Sequence, residues 1–316
     1  MPTVQQINST LYCIDCHDIQ RKNRTGSYVF KDQNSISLIE TSASPSIPYI
    51  LEGLKQLEIK LEDIKYIIVT HIHLDHAGGA GLMLQHCPNA KLIVHPKGAR
   101  HLVDPSRLIA GARAVYGEEF DQLFDPIIPI SEERILTVAD GEKLKLSDRT
   151  FTFYHTPGHA NHHIAIHDSE TNGLFTGDTA GIYYRELDDE NFNLVMPSTS
   201  PSQFDPEAML KSLQLFSDLQ AQSIFFGHYG QHDHPEEVFK QVRYWLPIFI
   251  AEAEKAMAKP LSFEERVQET TDSLMTICTD FLLSKGLTKE HPVFEILSLD
   301  LSVSSMGLID YLTKKQ

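Results

Sequence analysis

Cysteine is scarce in this chain, with four in 316 residues, at positions 13, 16, 87 and 278. So few, so scattered, exclude a disulfide-stapled framework. Cys13 and Cys16 form a nominal CxxC, but it lies in a strand-like run, where side chains three apart point to opposite faces, and no second CxxC accompanies it. A structural role is expected for both, and a reducing cytoplasm is the simplest compartment. Long apolar runs are also missing: none approaches the ~18 residues that suggest a membrane span, so no membrane partner is expected. The opening Met1-Pro2-Thr3-Val4-Gln5-Gln6 has neither the basic nor the apolar region of a secretory signal. Positive charge is in short supply as well. Lys and Arg number 27 against 43 Asp and Glu, a formal net charge of −16, and no stretch is strongly basic. No nucleic-acid partner is expected, because phosphate binding rests on clustered Lys and Arg.

What remains is an ordinary globular composition, 41% hydrophobic and 22% charged, long enough for one large domain or two modest ones. Histidine is the exception. Sixteen are present, and many fall in or near one kind of local pattern.

The densest instance is Thr70 to Gly79, Thr-His-Ile-His-Leu-Asp-His-Ala-Gly-Gly. His71, His73, Asp75 and His76 are imidazole and carboxylate donors of the kind that bind zinc or iron. They follow an apolar run, Tyr66–Thr70, that reads as a buried strand, and they precede a short helix. Strand-end loops are where active-site residues collect.

Short strands are expected at Leu11–Cys16, Ser27–Lys31 and Ile36–Glu40, separated by polar turns, and a helix over Ser46–Leu57, with Pro48 in its first turn. A strand at Lys91–His95 follows the ligand loop. Residues 96–122 then read as a helical excursion, either a lid or pocket wall or a surface helical pair that only adds packing. Strands resume at Arg134–Val138, Lys143–Leu146 and Thr150–His155, with a hairpin of Ile164–Ile166 and Leu174–Thr176. After a Pro-rich loop come a helix, Glu207–Leu219, and a last strand, Ser223–Phe226. Beyond Pro235 the chain reads as helices, Glu237–Ala258, Phe263–Leu287 and Val293–Lys315. This order predicts an α/β layered architecture, with an α/β domain over 1–235 and a helical extension over 236–316 packed on it.

The ligand-loop pattern recurs three times: Thr156-Pro157-Gly158-His159, Thr176-Gly177-Asp178 and Gly227-His228 each follow an apolar strand. With these four places in order, His-x-His-x-Asp-His, a lone His, an Asp and a final His, the chain resembles the metallo-β-lactamase-fold hydrolase superfamily over roughly residues 8 to 235. The resemblance implies a four-layer αββα sandwich with the metals at one edge. It assigns His71, His73 and His159 to a first metal, Asp75, His76 and His228 to a second, and Asp178 as a bridge. Seven ligands exceed one four- to five-coordinate ion but suit a pair ~3.5–4 Å apart. The expected cofactors are therefore two divalent ions, zinc in the first place, with iron or manganese as alternatives. Such a pair lowers the pKa of bound water from 15.7 to about 7, and a bridging hydroxide would attack an electrophilic carbonyl while Asp75 helps move the proton. Lactonase relatives place a tyrosine hydroxyl near that carbonyl, which makes Tyr184 a second catalytic candidate. His155, His162 and His163 either support the ligands or have no catalytic role; His232 and His234 are expected to be solvated.

The branch follows from departures. His73 stands where flavin-linked di-iron relatives have Glu, position 178 is Asp where antibiotic-hydrolysing relatives have Cys, and no basic arm of the nuclease members is present. Glyoxalase II-like thioesterases, acyl-homoserine-lactone lactonases and the many poorly assigned relatives remain, and the expected substrate is a small acyl ester, lactone or thioester. A homodimer is left open. The alternatives are a mono-iron sulfur dioxygenase-like enzyme and a metal-containing ligand-binding or signalling protein with little turnover.

Overall fold

Apolar residues at alternate positions decide how the strands are buried in the computed structural model, which describes residues 3–32 and 35–315. Part of the polar turn expected before Ile36, at 33–34, and the first two residues of the opening segment lie outside that range. Cα packing divides the chain into two compact units: Met1–Thr156 with His162–Gly177 and Ala221–Asp233, and Pro157–Asn161 with Asp178–Gln220 and His234–Gln316.

The first unit holds two sheets. One runs in spatial order through β1 (Val4–Gln6), β2 (Leu11–Asp15), β3 (Gly26–Asp32), β4 (Ser35–Ile39), β5 (Ile64–Ile68), β6 (Lys91–Val94) and β7 (Ile135–Thr137). Its first four strands are antiparallel and β4 to β7 are parallel. The other contains β8 (Lys143–Leu146), β9 (Arg149–His155), β10 (Ile164–Asp168) and β11 (Gly173–Gly177). Beyond β12 (Ile182–Tyr183) and β13 (Val195–Met196), which form a separate ribbon in the second unit, it continues with β14 (Ser223–Phe226) and β15 (Gln231–His232). Successive strand residues serve opposite layers. Ile68, Ile93, Cys13 and Phe30 join Phe151, Phe153, Phe175 and Phe225 between the sheets. Ile67, Leu92, Val94 and Val29 face outward. There they meet α1 (Ile47–Gln56), α3 (Ala80–His86) and α4 (Pro96–Val103); α2 (Leu74–Ala77) is the single turn inside the ligand loop. Cys13 and Cys16 fall in different clusters, as their spacing predicts.

Three expectations need correction. The strand before the ligand loop ends at Ile68, not Thr70, because the Thr70 N–H donates to the Glu40 carboxylate (2.6 Å) rather than to a neighbouring strand. His232 is not solvated: it is 4% exposed in β15, paired with Ile224 of β14. The excursion after β6 is three helices, α4, α5 (Ser106–Tyr116) and α6 (Phe120–Phe124). No residue of α5 is fully buried, whereas Phe120 and Phe124 of α6 pack with Leu74, which lies between His73 and Asp75. The excursion therefore braces the ligand loop through an apolar contact.

The second unit is mostly helical: α7 (Pro206–Asp218), α8 (Pro235–Met257), α9 (Phe263–Ser284) and α10 (Val293–Lys314). The last three pack on one another, with Trp245 of α8 set edge-on to Phe281 of α9 at 5.1 Å. Ser262 and Glu265 close a reciprocal capping box at the start of α9. Among the described residues no helix is long and apolar enough to cross a membrane.

Candidate metal centre

The β5 strand delivers the His71–His76 loop into a buried corner of the first unit. His71 and His76 are 0% and 1% exposed. The His71 ring lies 4.7 Å from that of His73 and 4.1 Å from that of His76. Asp75, His76 and His228 bring one carboxylate oxygen and two imidazole nitrogens within 4.8 Å of one another. Asp75 Oδ2 is 3.5 Å from His76 Nε2 and 3.6 Å from His228 Nε2. An N,N,O donor set of this span matches what a divalent transition metal takes.

Supporting contacts fix which nitrogen faces inward. Glu40 Oε2 lies 2.6 Å from His76 Nδ1, so that nitrogen carries the proton and Nε2 is left as the donor atom. Glu40 is 2% exposed and holds a left-handed backbone (φ 70), a conformation disfavoured for a side chain of this size. The turn bearing His228 is held by Tyr28, whose hydroxyl lies 2.7 Å from the Phe226 carbonyl and accepts from Gly230 N at 3.1 Å. Gly26 N donates to the Gly227 carbonyl at 3.1 Å, bringing the start of β3 beside that turn. Asp18 is buried in the preceding β2–β3 connection, and burial, then the charge of Asp75, push its carboxyl up to about 6.

Gly177, the last residue of β11, admits no side chain. Its φ is +46°, and a Cβ there would lie 2.4 Å from His163 Nε2 and 2.6 Å from Thr70 Oγ1. His163 is accordingly buried, with Nδ1 2.8 Å from Thr156 Oγ1 and its ring 5.1 Å from His71. His162 sets its ring edge-on to His73 at 5.5 Å. His155 turns elsewhere: Nε2 donates to the Val138 carbonyl at 2.9 Å, and its ring lies 4.1 Å from His95.

In the second unit, His159 Nε2 lies 3.7 Å from Asp178 Oδ2. The His159 loop is pinned to α7, since Gly158 O accepts from Asp205 N (2.8 Å) and Pro157 O from Ser212 Oγ (2.6 Å). His159 Nδ1 donates to the Ser198 carbonyl at 3.1 Å, again leaving Nε2 as the donor atom. The Tyr184 hydroxyl donates to Asp300 Oδ2 at 3.0 Å, with the side chain 2% exposed. A role for Tyr184 at a substrate carbonyl would require that bond to break.

Sequence reading passed over Glu40, Asp18 and Ser198. Glu40 carried a usable signal, a carboxylate at the end of the Ile36–Ile39 run, the same pattern as the other ligand places. Asp18 and Ser198 lie in polar loops with no such marker.

A family model described as the metallo-beta-lactamase superfamily matches residues 24–228, and the chain belongs to that superfamily. One relative is a metallo-beta-lactamase fold-containing protein of Sulfurisphaera tokodaii, 28% identical over 173 residues, which cover 54% of this chain and 62% of the relative. An N-acyl homoserine lactonase of Bacillus cereus is 28% identical over 195 residues, 61% of this chain and 66% of the lactonase. The chain thus spans just under two thirds of the length of these two curated relatives. The solved structure of a metallo-beta-lactamase family protein from Thermus thermophilus matches with a TM-score of 0.69 at 18% identity, covering 98% of this chain and 95% of that one, a likeness of fold. The fold is the mixed α/β class of this superfamily, with additional C-terminal helices.

Proposed function

We propose that this protein is a binuclear metal-dependent hydrolase acting on the ester, lactone or thioester carbonyl of a small acyl substrate. The observation that carries the reading is the Asp75–His76–His228 set, two buried imidazoles beside a half-buried carboxylate, with Glu40 dictating the tautomer of His76. In this reading His71, His73 and His159 hold a first divalent ion, Asp75, His76 and His228 a second, and Asp178 serves both. Zinc is the preferred ion. When bound, such a pair supplies a hydroxide nucleophile at neutral pH and a Lewis acid for the carbonyl oxygen. The protein's share is positional. Glu40 and the Ser198 carbonyl keep the protons of His76 and His159 on Nδ1, so that each offers Nε2. Asp75, 27% exposed at its side chain, is the carboxylate with access to solvent and is assigned the movement of the proton. The catalytic domain is assigned to 1–235 and the extension to 236–316. The lactonase relative supports the choice of bond, and the intact ligand series supports turnover over a binding role.

The test is metal quantification on purified protein together with a hydrolysis panel of lactones, thioesters and phosphodiesters. Two metals per chain with turnover of a lactone or thioester is the expected result. One iron per chain with oxygen uptake would replace this reading with the dioxygenase.

A further inference from the structure

Ser198 touches two of the candidate ligands at once. Its carbonyl accepts from His159 Nδ1 and its hydroxyl donates to Asp178 Oδ2, both at 3.1 Å, and it is 5% exposed. The first bond sets the tautomer of His159; the second removes rotational freedom from the Asp178 carboxylate. What holds Ser198 in place is the last helix. Thr199 Oγ1 donates to the Ser304 carbonyl at 3.0 Å. At Gly307 a Cβ would lie 1.7 Å from Thr199 O and 2.6 Å from Ser200 C, so this strap rests directly on the helix backbone.

Contacts on either side follow the same line. Tyr184 donates to Asp300 at 3.0 Å, the Phe204 ring meets Tyr311 at 5.5 Å, and Lys314 Nζ donates to Ser202 O at 2.8 Å. Positions 300, 304, 307, 311 and 314 are spaced by three and four, which is one face of an α-helix. That face carries a buried acid, a serine and a glycine where an apolar stripe would suffice for packing alone.

We infer that α10 is the positioning element of the metal centre: its 300–314 face seats the strap so that Ser198 can orient His159 and Asp178. The inference rests on the two-metal reading. Partners that orient ligands in this way typically contribute about 10–100-fold to metal affinity.

The experiment titrates metal-stripped full-length protein with Co(II), reading affinity and the d–d absorption band. Wild-type protein that takes up fewer than two Co(II) refutes the two-metal reading before any variant is made. Given two, Ser198→Ala is expected to weaken binding about 10–100-fold and alter the band, and Ser198→Thr, which keeps the hydroxyl, to restore both. Gly307→Ala and Thr199→Val lie outside the ligand shell and are expected to weaken binding in the same direction. Thr199→Val, which keeps side-chain size, provides the reading if Gly307→Ala does not fold. An unchanged affinity and band in Ser198→Ala overturns the role of the Ser198 hydroxyl in orienting Asp178. Wild-type behaviour of the two strap variants beside an impaired Ser198→Ala overturns the role of α10.

Discussion

Glu40 and His76 face each other across 2.6 Å in a fully buried setting, a carboxylate at the end of β4 fixing an imidazole that enters from the loop after β5. The same carboxylate accepts from the Thr70 N–H, so one side chain both ends the strand and aims a candidate ligand. Glu40→Gln keeps an acceptor for Thr70 but removes the charge. Metal affinity, measured by chelator competition, should fall by about 10-fold or more. Wild-type affinity would mean that the tautomer of His76 is set without Glu40.

On the two-metal proposal, Asp75 and Asp178 should separate the metals. Asp75→Ala is expected to leave one metal per chain with activity sharply reduced. Asp178→Asn loses the shared charge and should reduce both metal content and hydrolysis. Loss of both metals in Asp75→Ala would show that the division of ligands is wrong, and full activity in Asp178→Asn would refute the two-metal reading.

Gly177→Ala places a methyl group where His163 Nε2 and Thr70 Oγ1 already stand, at a left-handed φ. The expected cost is about 1–3 kcal/mol of stability, read from urea unfolding of the metal-free protein. A variant as stable as wild type would mean that the His163 and Thr70 side chains can move aside freely.

His95 should make stability depend on acid. Burial, then the charges of His155 and Lys97, bring its pKa from the ordinary 6.5 down to about 4. On acidification the unfolded chain therefore takes up the proton first. The contribution is complete above pH 6.5 and is lost as the pH falls towards 4. His95→Asn keeps an acceptor for the Lys97 N–H, which caps α4, and removes the titration. Urea melts at pH 7, 5.5 and 4.5 should show a shallower loss of stability in the variant; equal slopes would rule out His95 as the source.

The candidate donor series could be marked in the sequence because its pattern is local. Each donor follows an apolar run and a turn, so period-two burial and the Gly residues at 158, 177 and 227 mark the places without knowledge of the fold. Elements with strong periodicity were legible for the same reason, among them α1, α7 and α8. Short edge strands were not. Val4–Gln6 and Gln231–His232 carry no apolar alternation and exist because a neighbour offers its unpaired backbone groups. His232 is buried only as a consequence of that pairing.

Sequence alone determined the superfamily and marked the candidate donors in their order along the chain, since strand-end position and residue type are properties of a few consecutive residues. Only the tertiary structure decided how those donors are held. Glu40 reaches His76 across 36 residues, Tyr28 braces the Gly227–Gly230 turn across about 200, and Ser304 and Gly307 meet the strap beside Ser198 across more than 100. Hydrogen bonds of that separation leave no periodicity to read, because chain closure, not local pattern, brings their partners within 3 Å.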